Sequence, residues 1–273
     1  MAISIGTNVQ SLNAQRNLSA TQNRLSGNLG RLSTGMRINS AADDAVGLAI
    51  SERMKAQVRS LGQAERNAND GISLTQTAEG AMNEISGVLT RMRELAVQAS
   101  NGTVSASDRG FINDEAQSLS DEIDRISTVT EFNGTALLDG TFSQDLQIGI
   151  NDSANDRINV AIGDTSFATI AGGAVDLSTA AGAQAALTTL DTAIDAVSAE
   201  RAALGTTQNR LQVTVSNLGS ARENMSAANS RIRDVDIASE SAKMTQNQIL
   251  SQAGLAVLSQ ANQLPQSALS LLK

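Results

Sequence analysis

Leu190, Val197, Leu204, Leu211, Leu218, Met225 and Ile232 are spaced seven apart without a miss. Only a long α-helix keeps such positions on one edge, and that edge must pack lengthwise against another helix. Ile194 and Val215 fill two of the companion positions, whereas Arg201, Gln208, Arg222 and Asn229 make others polar, so the seam is narrow and partly wet. The chain is therefore expected to be mainly α, a rod of long antiparallel or coiled-coil helices.

The first half repeats the pattern. Met54, Leu61, Ala68, Thr75, Met82, Leu89 and Ala96 share the same interval, predicting a helix from about Asp43 to about Ser100. Fully helical, it would be roughly 85 Å long. Gly62, Gly71, Gly80 and Gly87 lie inside it. Each costs about 1 kcal/mol against Ala, so packing must hold the helix straight. Ser40 with Asp43 has the spacing of a capping box for its start, and Asn101-Gly102 is expected to close it in a left-handed cap. Ile112, Ala116, Leu119, Ile123 and Ile126 predict a further packed helix from Asp108 to about Thr128.

Both ends carry apolar seams. Leu18, Leu25 and Leu32 recur by seven, with Leu29 and Met36 four residues after two of them and Ile5, Val9 and Leu12 extending the line until Gly35 breaks it. At the other end Leu250, Val257, Leu264 and Leu271 recur by seven, with the small companions Gly254, Ala261 and Ala268 admitting a close neighbour. Pro265 is expected to bend or stop that helix, at a cost near 3 kcal/mol. Isolated helices of this length are marginal in water, so the two end seams must be covered. The internal helices can fold back as hairpins and bring the ends together. Copies of the same chain can cover the surface left over, through a heterologous contact that grows into a ring or an open fibre.

Between the helical halves the period changes. Gly134, Asp139 and Gly140 turn the chain; Leu146, Ile148 and Ile150, then Ile158, Val160 and Ile162, alternate with polar residues across the turn-rich stretch Asn151 to Asp156. A small β-hairpin is expected there. Residues from about Ala168 to Gly182 show little pattern and read as an exposed loop.

Composition excludes much. There is no Trp, Tyr, His or Cys, and one Pro, so Leu, Ile, Val, Ala and Met must fill the core. Without His or Cys there is no Ser-His or Cys-His nucleophile, zinc cage, haem, iron–sulfur cluster or disulfide. No cofactor and no catalysis are expected. A formal net charge of -8 with only four Phe argues against nucleic acid and against anionic membranes. No apolar run approaches the roughly 20 residues of a membrane span. The opening Met1 to Gly6 lacks the basic and apolar regions of a cleaved signal peptide, so export is expected to follow another route.

Asp43 and Asp44 form a carboxylate pair, which a helix start explains better than acid–base chemistry. Asp152, Asn155 and Asp156 do not match a calcium loop's spacing and read as a hairpin turn. Arg91, Arg93 and Glu94 form either a solvated helix face or an interface. The C-terminal stripe has almost no Lys or Arg opposite it, unlike a membrane-surface helix.

The stretch Arg31-Leu32-Ser33-Thr34-Gly35-Met36-Arg37-Ile38-Asn39-Ser40-Ala41-Ala42-Asp43-Asp44-Ala45-Val46-Gly47-Leu48-Ala49-Ile50 resembles the N-terminal signature of bacterial flagellins. So do Arg93 to Ala99 with Asn101-Gly102-Thr103, and Glu131-Phe132-Asn133-Gly134. Ala228 to Asp236, and Gln260 to Gln266 with Leu271-Leu272-Lys273, resemble the family's C-terminal signature, apart from Lys273, where many members have Arg. The resemblance implies a subunit that assembles into the bacterial flagellar filament for swimming. Residues 1–42 plus 235–273 would form a paired-helix inner domain lining a channel, 43–138 plus 184–234 a helical rod, and 139–183 a small hairpin and loop insert where others carry an outer domain. Leu18, Leu25, Leu32, Leu250, Val257, Ala261, Leu264 and Leu271 would form the assembly seam.

The same resemblance implies export, unfolded and uncleaved, through the flagellar export apparatus to an extracellular filament. It implies other flagellin subunits, a filament cap, hook-junction proteins and an export chaperone as partners, and recognition by Toll-like receptor 5 through Arg91, Leu95 and Glu115. The competing readings are another secreted helical filament or needle, a hook-junction protein, and a cytoplasmic signalling rod. The rod would need a membrane anchor or partner domain.

Overall fold

The computed structural model describes residues 7–270, with side chains over 7–263. Its elements run α1 (Val9–Thr34), α2 (Ala45–Ser100), α3 (Ala106–Val129), β1 (Glu131–Phe132), β2 (Thr135–Ala136), β3 (Ser143–Gln147), a 3-10 turn, β4 (Arg157–Ala161), α4 (Phe167–Ala171), α5 (Ala180–Arg233) and α6 (Ile237–Ser270). The fold class is mainly α, as expected. The chain divides into two compact units, residues 1–57 with 224–273, and residues 58–223.

In the larger unit α5 runs antiparallel to α2. The expected heptads carry the packing: Leu61, Ala68, Thr75, Met82, Leu89 and Ala96 of α2 are buried, as are Leu190, Val197, Leu204, Leu211 and Leu218 of α5. From α3, Ile112, Ala116 and Ile123 complete the helical layer. Arg93 Nε donates to Asp191 Oδ1 at 2.6 Å, tying α2 to α5 at the surface.

Local chemistry at the helix ends departs from expectation. α2 does not close in a left-handed turn at Asn101-Gly102, since neither residue has a positive φ. Arg109 of α3 instead donates Nε to Ala99 O at 2.8 Å and Nη2 to Asn101 O at 2.9 Å, satisfying carbonyls that a helix end leaves free. Nor does the Ser40/Asp43 pair start α2. Asp43 Oδ2 accepts from Asn39 N and Ser40 N within the preceding turn, while Asp44 Oδ1 caps the helix by accepting from Val46 N and Gly47 N. A serine cap does form at α3, where Ser105 Oγ accepts from Asp108 N at 3.2 Å and donates to Asp108 Oδ2 at 2.7 Å.

The insert holds the expected hairpin, β3 paired antiparallel with β4 and Leu146 opposite Ile158. A second, tiny hairpin was not anticipated: β1 and β2 flank Asn133 and Gly134, whose φ values of 52° and 77° suit a two-residue turn. The stretch read as an exposed loop is mostly exposed, but it buries four anchors, Ile170, Ala171, Val175 and Leu177, next to the buried Phe167. Polar side chains of α3 hold it down, Asp124 Oδ1 accepting from Phe167 N at 2.7 Å and Asn113 Oδ1 from Leu177 N at 2.9 Å. Its few large residues were enough because α3 supplies the hydrogen bonds.

In the smaller unit α1 and α6 lie antiparallel: Asn8 meets Ala261, Leu18 meets Gly254 and Arg31 meets Glu240. Gly35, at φ 69°, ends α1. The chain then bridges to the α5–α6 joint, Arg37 N donating to Arg233 O at 2.6 Å and Val235 N to Gly35 O at 3.0 Å. α6 does not stop at Pro265 but continues to Ser270.

Candidate functional site

The antiparallel pair α1/α6 gathers most of the residues singled out in the end seams. On α1 the covered line runs Ser11, Ala14, Leu18, Thr21, Leu25, Asn28 and Leu32, alternating steps of three and four. Leu18, Leu25 and Leu32 fall on it. Val9, Leu12 and Leu29 do not; all three are exposed, because a helix face that repeats by seven takes Asn28 rather than Leu29 as the partner of Leu25.

On α6 the facing line is Glu240, Met244, Asn247, Ser251, Gly254, Leu258 and Ala261. Ala261 is buried against α1, and Gly254 admits Leu18, whose Cδ1 lies 3.2 Å from where a Cβ would stand. Leu250 and Val257 lie off this line, 44% and 58% exposed. The side chain of Leu264, and Leu271, lie outside the described residues. The structure thus separates the predicted seam into Leu18, Leu25, Leu32 and Ala261, which meet inside the pair, and Leu250 and Val257, which face outward with Ile249 and Leu255.

The interior of the pair is wetter than a Leu stripe implies. Buried Asn247 donates Nδ2 to buried Asn28 Oδ1 at 3.5 Å. Buried Glu240 lies 3.5 Å from both Arg31 and Lys243, and Arg31 is also 3.6 Å from Asp43. Thr21 is buried and donates to Asn17 O. At the joint, Arg37 Nη2 donates to Ile232 O at 2.7 Å and Arg233 pairs with Glu52. Sequence reading missed Asn8, Asn28, Glu240 and Asn247; the signal available was the seven-residue spacing of Glu240 and Asn247 to the small companions Gly254 and Ala261, and the place of Asn28 between Leu25 and Leu32, whereas Asn8 lies off the line and carried none. A buried amide pair in such a line fixes register, since sliding either helix would strand both groups.

A second cluster lies in the larger unit. Arg91 Nη2 pairs with Glu115 Oε1 at 2.8 Å and Arg91 Nη1 with Glu94 Oε2 at 3.2 Å, both at the surface. The hydrogen bond that Arg91 donates to Glu115 leads the interactions that raise the Arg91 pKa. Leu95 does not share that surface; it is 2% exposed, in the core beneath. In the hairpin turn Asp156 Oδ2 accepts from Asn151 N and Ser153 Oγ, and Asp152 pairs with Arg157. Among the described residues no group of three or more Asp or Glu side chains is placed to hold a metal ion, and no helix is long and apolar enough to cross a membrane.

In sequence the chain is similar to known proteins over nearly its whole length. Residues 5–143 match the bacterial flagellin N-terminal helical region and residues 187–272 the bacterial flagellin C-terminal helical region. A flagellin of Halalkalibacterium halodurans is 48% identical over 270 residues, covering 98% of this chain and 99% of that one. A flagellin of Bacillus subtilis is 44% identical over 303 residues, with the same coverage of each. The crystal structure of Bacillus cereus flagellin superposes with a TM-score of 0.51 at 38% identity, covering 60% of this chain and 94% of that one.

Proposed function

This chain belongs to the bacterial flagellin family and is a structural subunit of the flagellar filament, and from that premise we propose that the α1/α6 pair is its assembly element. The observation that carries the reading is the division of α6 into two faces. Gly254, Leu258 and Ala261 are spent on α1, while Ile249, Leu250, Leu255 and Val257 remain exposed. Large aliphatic side chains left in water along one helix favour association with sister subunits. Leu18, Leu25, Leu32 and Ala261 then close the pair within a subunit, Leu250 and Val257 join subunits, and Leu264 and Leu271 extend the seam.

On this reading residues 1–42 with 235–273 form the inner, channel-lining domain, 43–138 with 184–234 the rod, and 139–183 a minimal insert. The family resemblance supports export of the unfolded chain through the flagellar secretion channel to an extracellular filament, with a cap, hook-junction proteins and an export chaperone as further partners. It also supports recognition by Toll-like receptor 5 at the exposed Arg91–Glu115 pair, with Leu95 seating α2 from below rather than touching the receptor. The chain has no catalytic role.

The test separates assembly from folding. L250E with V257E should abolish filaments seen by negative-stain electron microscopy while leaving the thermal unfolding of the larger unit unchanged. Filaments of normal length from that variant would sink the assignment of these side chains.

A further inference from the structure

The nitrogen of Pro265 carries no hydrogen, so the carbonyl of Ala261, four residues earlier, lacks the partner an α-helix would supply. Here that carbonyl accepts instead from Asn8 Nδ2 at 2.7 Å. Asn8 comes from the opposite end of the chain, and its Oδ1 at the same time accepts from Ser11 N at 3.1 Å as the cap of α1. One side-chain amide therefore closes the start of α1 and the gap in α6. Its orientation follows from chemistry, since the oxygen faces an N–H and the nitrogen faces a carbonyl. Beside it Ser11 Oγ donates to Asn262 Oδ1 at 2.7 Å, so the two ends are joined by consecutive residues of α6. Ala261 is buried, and a carbonyl left unpaired there is costly.

We propose that Asn8 is a splint across Pro265: α6 stays helical beyond the proline because Asn8 docks on Ala261, so the final turn, residues 265–270, is ordered by the far end of the chain. Pro265 removes that turn's own support, and Asn8 returns it only when α1 has docked in register. The last turn thereby reports whether the two ends have paired. This deepens the paired-end reading above, and its test does not depend on which residues join neighbouring subunits.

The experiment is backbone amide exchange of residues 266–270, read by mass spectrometry in polymer assembled from the full chain. N8D keeps an acceptor for Ser11 N but offers no donor to Ala261, so it spares the α1 cap and removes the splint. It should speed exchange in that segment by at least about threefold, the worth of one hydrogen bond. P265A restores the missing N–H; in that background N8D should leave exchange within about a factor of 1.5, since the bond is no longer needed. Unchanged exchange in N8D, or equal acceleration with and without P265A, would overturn the proposal. Should N8D fail to polymerise, rescue of assembly by P265A supports the splint. Continued failure of the double variant, while P265A alone assembles, refutes it.

Discussion

Gly71 and Gly80 read alike in the sequence, each a helix interior glycine with the same cost against Ala, yet the structure gives them opposite roles. A Cβ at Gly71 would stand 2.3 Å from Leu146 Cδ1 and 3.3 Å from Leu211 Cδ1, so the missing side chain is the seat of the hairpin on α2. Nothing lies within 4 Å of a Cβ at Gly80. G71A should therefore lower stability by about 1 kcal/mol, overpacking outweighing the gain in helix propensity, whereas G80A should raise it by about 0.5–1 kcal/mol. Parallel thermal melts of the two variants check the pair, and a stabilising G71A would contradict the seat. Asp164 offers a pH-dependent case. Its carboxylate accepts from Thr169 Oγ1 at 2.6 Å and from Ser166 N at 2.8 Å. The Thr169 bond leads these in holding its pKa below the usual carboxylate range, against a partial opposing effect of burial. A depressed folded-state value contributes stability that is complete above the unfolded value and is lost as pH falls through the folded one. D164N should melt earlier than the parent near neutrality, by about 1 kcal/mol, and the difference should shrink on acidification; a constant difference would remove Asp164 from the account.

At the scale of elements, periodicity made the long helices legible because a seven-residue repeat admits few other structures. Both α2 and α5 place their repeats in the core, although the α5 line fades toward its end: Leu190 to Leu218 are buried, Met225 and Ile232 half-buried. L211A should cost about 2–5 kcal/mol in unfolding, and M225A distinctly less, because a half-covered side chain leaves less of a cavity. Equal costs from denaturant titration would mean that the outer part of α5 is packed as tightly as the middle. Helix ends were less legible, since α2 is closed by Arg109 from the next helix and no local signature announces a side chain arriving from elsewhere. The buried anchors of the loop after β4 are hidden in the sequence for the same reason, since Asn113 and Asp124 on α3 accept from the backbone of Leu177 and Phe167. In the α1/α6 pair the Leu residues pointed to the right helices but not to every facing residue. Asn28 and Asn247 sit on the covered lines, and a reading that follows only apolar side chains steps off them to Leu29 and Leu250.

For the whole molecule, the net charge of -8 conceals an uneven division. Residues 58–223 hold 22 acidic and 10 basic side chains, whereas 1–57 with 224–273 hold 6 acidic and 10 basic. The larger unit thus carries nearly all the mutual repulsion between copies, and the unit proposed to join them is mildly basic. Two electrostatic effects of opposite sign follow when subunits are brought together. Acidic units repel one another, which salt relieves, while a basic unit lying against an acidic one would attract, which salt weakens. If assembly is driven by the exposed aliphatic residues of α6, with charge only opposing it, raising ionic strength to about 0.1 M, where the screening length falls to about 10 Å, should lower the critical concentration for polymerisation. Light scattering on purified full-length chain across a sodium chloride series measures this. A critical concentration that rises with salt would mean that basic-to-acidic attraction, rather than the Leu250 and Val257 surface, is the dominant contact between neighbours.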